Sequence, residues 1–345
     1  MKRITHLDGL RALAFTAVFL HHALDVPLLW MGVDLFFVLS GFLITRNLLQ
    51  LRTSSTPGSA LAAFFFRRVL RILPPYFIVL TAIVLLEPVR AAELPWFYLF
   101  ASNIRDAIHG PILWSLDTLW SIAVEEQFYL AWPWLVLLAP RRWLAPAFIL
   151  GIVGAVIARI VFSRVGFDAV YRLTPCRMDL LAAGASLAWL EARDATWFPR
   201  HRLRLAGLAG AGVAVFAALT LASPTFRTSL NDPLFDTVGF GLSTLTFTCV
   251  VGFTIGAADA PALRWLDHPA LRYIGKISYV AYLVHVLALT ELGNAGLERV
   301  PTAVLGFAAT ILLASASWYG LEAPLQRGRG LVPPRPRAAE PSHPL

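Results

Sequence analysis

Charge is what this chain has least of. Only 14% of its 345 residues are Asp, Glu, Lys or Arg, against roughly 25% in an ordinary soluble domain. That shortfall, with apolar runs recurring from Leu7 to Leu321, excludes a soluble enzyme carrying a single anchor. Cysteine is nearly absent as well. Cys176 and Cys249 lie in or beside apolar segments, so neither a disulfide framework nor a thiolate metal-ligand spacing can be drawn. There is no tandem repeat, no second globular domain and no long extramembrane insertion. The net charge of +8 could suit nucleic acid, but the charges fall in short loops between apolar segments, the pattern that sets membrane topology. What is present in abundance is hydrophobic surface: 57% of residues and a mean hydropathy of +0.66. The fold class is all-α, a polytopic transmembrane helix bundle.

A span needs about 20 mainly apolar residues. Ten are predicted, near 6–24, 31–50, 70–87, 117–138, 145–163, 175–191, 203–222, 235–256, 274–292 and 301–321. The fourth carries Glu125, Glu126 and Gln127, and the sixth Arg177 and Asp179. With the N-terminus inside, 20 Lys and Arg fall in inner connections and 8 in outer ones, among them Arg159, Arg164, Arg172 and Arg177. The asymmetry predicts both termini in the cytoplasm and a multi-pass protein of the inner or plasma membrane. Lys2 and Arg3 resemble the start of a signal peptide, but Asp8, Arg11, His21 and His22 interrupt the following run and no small-residue cleavage site follows, so the first segment is read as a retained helix. Residues 53–59 (TSSTPGS) are predicted to be a polar loop. Residues 1–325 form the integral-membrane domain. The stretch 326–345, with Pro333, Pro334, Pro336, Pro341 and Pro344, is read as a disordered cytoplasmic tail.

Five polar groups interrupt the apolar segments. His22 follows Arg11 by eleven residues. At about 100° per residue that is about three turns plus 20°, so both share a helix face, roughly 16 Å apart. Ionisable groups inside a span face a partner or a water-filled cavity. His22 is therefore a candidate base, or, with an Asp8–Arg11 ion pair nearby, a satisfied core histidine. Glu125 lies a turn or two below the outer face, at the depth predicted for His22. It could orient that histidine for general-base work, or merely anchor an interhelical hydrogen bond. Arg67, Arg68 and Arg71 share a face at the inner surface; guanidinium forks suit phosphate, though topology alone would also place arginines there. Ser40–Gly41 makes a small patch after Phe36 and Phe37, and Ser40 lacks the G-x-S-x-G context of a nucleophile. Ser278, Tyr282 and His285, spaced four and three apart, form a polar stripe on the ninth segment. It lines a cavity or bonds to neighbouring helices.

Taken in order, these segments resemble the acyltransferase 3 family of membrane acyltransferases. Arg11 and His22 are similar to its R-x10-H signature, and Phe36-Phe37-Val38-Leu39-Ser40-Gly41 to its F-F-x-x-S-G element. Arg68 to Pro74 resembles its R-x-x-R element before a proline. Trp120 to Tyr129 resembles its W-S-L-x-V-E-E-Q-F-Y element, with Glu125 at the first glutamate. Ser278 to His285 is similar to S-Y-x-x-Y-L-x-H, and Glu322-Ala323-Pro324 to the E-x-P ending. The resemblance covers residues 4–325. It implies ten spans and an acyl group, usually acetyl, taken from cytoplasmic acyl-CoA and passed to a hydroxyl of a carbohydrate or lipid-linked glycan at the cell envelope.

The resemblance also implies roles. His22 and Arg11 would be the catalytic histidine and its arginine partner, with Glu125 orienting His22. Arg68 and Arg71 would hold coenzyme phosphates, and Phe36, Phe37 and Ser40 would flank the pantetheine arm. Ser278, Tyr282 and His285 would line the substrate path. Some relatives carry an appended extracytoplasmic hydrolase-like domain; this chain is expected to act without one, alone or with a separate extracytoplasmic transferase. Membrane lipids are the other expected partners, with no nucleic acid and no metal. A transporter or flippase, or a non-catalytic scaffold, are the rival readings; the transporter lacks paired discontinuous helices in two matching halves.

Overall fold

Each of the ten apolar segments becomes a helix of 17 residues or more: α1 His6–Leu24, α2 Gly32–Ser54, α3 Pro57–Leu86, α4 Leu119–Leu138, α5 Leu144–Phe162, α6 Thr174–Arg193, α7 Trp197–Ala222, α8 Phe240–Gly256, α9 Pro269–Asn294 and α10 Arg299–Ser317. The computed structural model describes residues 4–163, 168–223, 226 and 235–328. Of the tail expected at 326–345, residues 329–345 lie outside that set, as do Arg164 and Arg227. No β-strand occurs among the described residues. Six of the long helices are apolar and long enough to cross a membrane unaided; α8 and the turn after it, Pro261–Asp267, bent by 103°, form either a broken seventh span or a re-entrant loop. The others, α1, α4 and α6, carry the polar groups noted above. The chain is a multi-pass membrane protein.

The helices divide into a core and a shell. Most of α2 and α9 is buried, whereas α5, α7 and α10 are buried along a narrow face only. Leu85 on α3, Leu203 on α7 and Leu312 on α10 are 80%, 79% and 70% exposed. Leucines displayed to this extent on apolar helices are stable only against lipid.

Within the core, α2 packs most extensively on α6, and α1 on α9. Both contacts depend on glycine. A Cβ at Gly41 would collide with the Leu181 carbonyl, and one at Gly184 with the Val38 carbonyl. The two backbones therefore touch, as small residues allow between membrane helices. Gly275 on α9 likewise meets the Asp8 carbonyl of α1. That approach brings the Arg11–His22 face of α1 against the Ser278–His285 stripe of α9.

Helix α3 begins thirteen residues before the predicted start at 70. The loop expected at 53–59 shrinks to Ser55 and Thr56, because Pro57 sits at the first helical position, where its missing N–H costs nothing. Arg67, Arg68 and Arg71 consequently lie within a 30-residue helix, just before Pro74 and Pro75 interrupt its hydrogen-bond ladder. Arg159 and Arg177 also differ from expectation. Counted among the outer arginines, they stand at the outer ends of the predicted spans 145–163 and 175–191, yet each is buried against a carboxylate: Arg159 against Asp179 at 2.8 Å, and Arg177 against Asp34.

Candidate active site

Two cavities share a wall. The narrower chamber, enclosing about 760 Å³ free of protein atoms, is lined by Arg11, Phe36, Phe37, Ser40, Arg68, Arg71, Glu125, Tyr129, Ser278 and Tyr282 among others. The wider vestibule, about 1730 Å³, is lined by five cations: Arg11, Arg68, Arg71, Arg272 and Lys276, with Asp8 the lone carboxylate. Arg11, Leu43, Arg68 and Arg71 belong to both, so the two spaces are neighbours separated by these side chains. A cluster of cations around an open volume holds anions, and guanidiniums pair well with phosphate.

Helices α1, α2, α3, α4 and α9 each bring part of the chamber. Arg11 reaches across to α9, where Nη2 donates to Ser278 Oγ at 3.1 Å and Nε to the Gly275 carbonyl at 3.3 Å. On the opposite wall, Ser40 donates to Glu125 Oε1 at 2.5 Å, and the Tyr129 hydroxyl lies 2.8 Å from Glu125 Oε2 and 3.0 Å from Ser40 Oγ. The Arg68 guanidinium stands 4.1 Å over the Tyr129 ring, a favourable cation–π distance. A serine–glutamate–tyrosine triangle thus links α2 to α4 beside Arg68. The Tyr282 hydroxyl meets Ser121 Oγ at 2.8 Å, tying α9 to α4 at the far end.

His22 lies past Tyr282, outside the chamber lining. Its Nδ1 is 3.0 Å from Nε2 of His285, and the two rings are 5.0 Å apart. The structure thereby replaces the expected orienting contact: Glu125 is committed to Ser40 and Tyr129, and His22 to His285. Spacing within α1 could not show this, because the deciding neighbour comes from α9. Trp114, 45% exposed, meets the His22 ring edge-on at 6.1 Å.

The segment bearing Trp114 belongs to a polar cap that sequence reasoning did not assign. It is built from the short helices Ser102–His109, Trp114–Asp117 and Ala169–Arg172. Arg172 pairs with Asp117 at 2.7 Å and Asp168 at 3.3 Å. Arg105 pairs with Glu93 at 3.0 Å and Asp106 at 3.2 Å. Gln127 donates to the Phe100 carbonyl and to Asn103, each at 2.8 Å, which fastens the cap to α4. Burial pushes the Asp106 carboxyl up to about 6, against the pull of Arg172 and Arg105. The hydrogen bond from Arg105 holds Glu93 below the usual carboxylate range. The signal was available: Arg105-Asp106, Asp117, Asp168 and Arg172 are opposite charges clustered in two connections that α3–α4 and α5–α6 topology brings to one end. Among the described residues no group of three or more His, Cys, Asp or Glu is placed to hold a metal ion.

A lipid-facing bundle with a cation-lined entry and, beyond it, a histidine pair is the architecture of a membrane-embedded group-transfer protein. The chain belongs to the acyltransferase 3 family: the family's model, described as an acyltransferase domain, matches residues 4–319. Among curated proteins it is similar to the peptidoglycan O-acetyltransferase OatA of Listeria monocytogenes, 29% identical over 94% of this chain and 56% of that protein. It is also similar to the O-acetyltransferase OatA of Staphylococcus aureus, 26% identical over 93% of this chain and 57% of that one. The chain thus spans somewhat more than half the length of these relatives. No solved structure matches it.

Proposed function

We propose that this protein is a membrane O-acetyltransferase that takes an acetyl group from acetyl-CoA and delivers it to a hydroxyl of a carbohydrate or lipid-linked glycan. The observation that carries the reading is a five-cation vestibule that shares Arg11, Arg68 and Arg71 with a chamber reaching Tyr282, whose ring lies 5.4 Å from that of His285. Arg68, Arg71 and their neighbours bind the coenzyme phosphates from the cytoplasmic side, the side on which the Lys and Arg asymmetry places both termini. The pantetheine arm follows Phe36, Phe37 and Ser40. His22 takes the proton from the acceptor hydroxyl, the alkoxide oxygen attacks the thioester carbonyl, and the coenzyme thiolate leaves and is protonated by the His22 imidazolium. Arg11, hydrogen-bonded to Ser278 about two helical turns from His285, is too far from His22 to touch the same tetrahedral oxygen and adds to the cationic lining that attracts the coenzyme. The relatives named above favour a peptidoglycan-type glycan as acceptor.

The test is transfer from radiolabelled acetyl-CoA to muramyl glycan fragments by the purified chain in nanodiscs. His22→Ala is expected to lower transfer by about 10²–10⁴-fold, the usual contribution of a general base, while labelled coenzyme still binds. An active His22→Ala protein overturns the assignment of the base. Movement of glycan across proteoliposomes without acetylation would favour a transporter.

A further inference from the structure

We infer that His285 is a positioning residue that selects the tautomer of His22 through a relay beginning at a backbone carbonyl; the inference rests on the acetyltransferase reading above. The relay is read from two distances. His285 Nδ1 lies 2.6 Å from the Tyr282 carbonyl oxygen, and His285 Nε2 lies 3.0 Å from His22 Nδ1. A carbonyl oxygen can only accept, so His285 Nδ1 carries the hydrogen. In a neutral imidazole one nitrogen donates and the other accepts. His285 Nε2 therefore accepts, and the only hydrogen that can fill the 3.0 Å contact is on His22 Nδ1. With that N–H committed, the lone pair of a neutral His22 is on Nε2. The nitrogen that must collect the acceptor's proton is thus tied to a main-chain oxygen on another helix, alongside the Val18 backbone contact that His22 makes within α1.

The surroundings make the relay stiff. His285 is fully buried on α9, with the Phe15 ring edge-on at 6.0 Å and the Phe19 ring at 6.3 Å. The carbonyl it uses is three residues back on its own helix, and Tyr282 is itself held by Ser121 at 2.8 Å. His22, by contrast, is partly exposed and meets Trp114. One histidine is packed and serves as a fixed acceptor; the other reaches the open side. When His22 Nε2 takes the proton, the Nδ1–H bond to His285 remains and orients the imidazolium, as the orienting group does in a catalytic triad.

The test combines spectroscopy with two variants. Solid-state NMR of histidine-¹⁵N-labelled protein in lipid, with the His22 signal assigned by its loss in His22→Ala, should show a neutral His22 protonated at Nδ1. In His285→Gln an amide oxygen can take the place of Nε2 as acceptor; kcat is expected to stay within about tenfold of the wild type. In His285→Phe the acceptor is gone. Here kcat should fall about a hundredfold or more, the KM for acetyl-CoA should be unchanged, and the His22 signal should shift toward the Nε2-protonated form. A wild-type His22 protonated only at Nε2, an unaltered kcat in His285→Phe, or equal losses in the Gln and Phe variants would each overturn the relay. The spectroscopic arm needs no turnover. A protein that transfers nothing yet holds His22 as the Nδ1–H form fails the acetyltransferase reading and leaves the relay standing.

Discussion

Two groups of arginines lie on either side of α2 and have opposite fates. On the α6 side, Arg177 is buried against Asp34, which also accepts from Ser243, and its guanidinium stands 4.4 Å over the Phe240 ring. Arg159 donates to Asp179 and to the Cys176 carbonyl, both at 2.8 Å, and Thr244 donates to the same carboxylate. On the α3 side, Arg68 and Arg71 face a cavity together with Arg11, Arg272 and Lys276. The residue type and the lipid are the same in both places. The difference is whether the guanidiniums are packed against carboxylates between touching helices or stand around an open volume, with Glu126 near Arg68 and Glu322 near Arg71. The first arrangement locks helices; the second is a site for an anion that arrives from outside.

The largest expected effect breaks the locked side. Asp34→Ala leaves Arg177 buried without its carboxylate and should cost about 3–5 kcal/mol, read as a lower thermal midpoint in detergent. Adding Arg177→Met should recover a substantial part of that loss; no recovery would mean the pair is not what holds α2 to α6. Next comes the open side. Arg68→Ala removes a charge-assisted phosphate contact worth about 1.5–3 kcal/mol, so the apparent affinity for acetyl-CoA should drop about 10- to 100-fold with the thermal midpoint little changed. An unchanged affinity would remove Arg68 from the phosphate site and blur the contrast between the two sides.

The last effect concerns the cap. Asp106 ionises in the unfolded chain near the ordinary carboxylate range but only at about 6 in the fold. Between those values the unfolded state binds fewer protons than the folded one, so stability falls as pH rises from about 4 to 6, by at most about 3 kcal/mol, and levels off above. Asp106→Asn should flatten that slope. A slope that survives the substitution would assign it to another group.

Much of this contrast was readable from residue order, and the part that was not has a definite physical origin. The ten helices follow from apolar runs, since length and hydropathy are local properties. The early start of α3 escaped because a hydropathy window ends at Arg67, although Pro57 marks the helix start and residues 60–66 are apolar. The candidate residues Arg11, Phe36, Phe37, Ser40, Arg68, Arg71, Glu125, Ser278 and Tyr282 all line the chamber. The partner of His22 was misassigned, because similar depth in the membrane does not select among neighbouring helices. Asp34 and Arg177 offered a hint, one uncompensated carboxylate in the second segment and a guanidinium in the sixth, but pairing across 143 residues is a property of packing.

The interlock of Gly41 and Gly184 has a further consequence. Because the α2 and α6 backbones are in direct contact, the chamber has a backbone wall on that side that cannot move outward. Any change in the size of the transferred group must therefore be accommodated opposite, by α3 with its paired prolines and by α4. An effort to widen the chamber without moving that wall should begin at the facing side chains, Ile72 on α3 and Ile122 on α4.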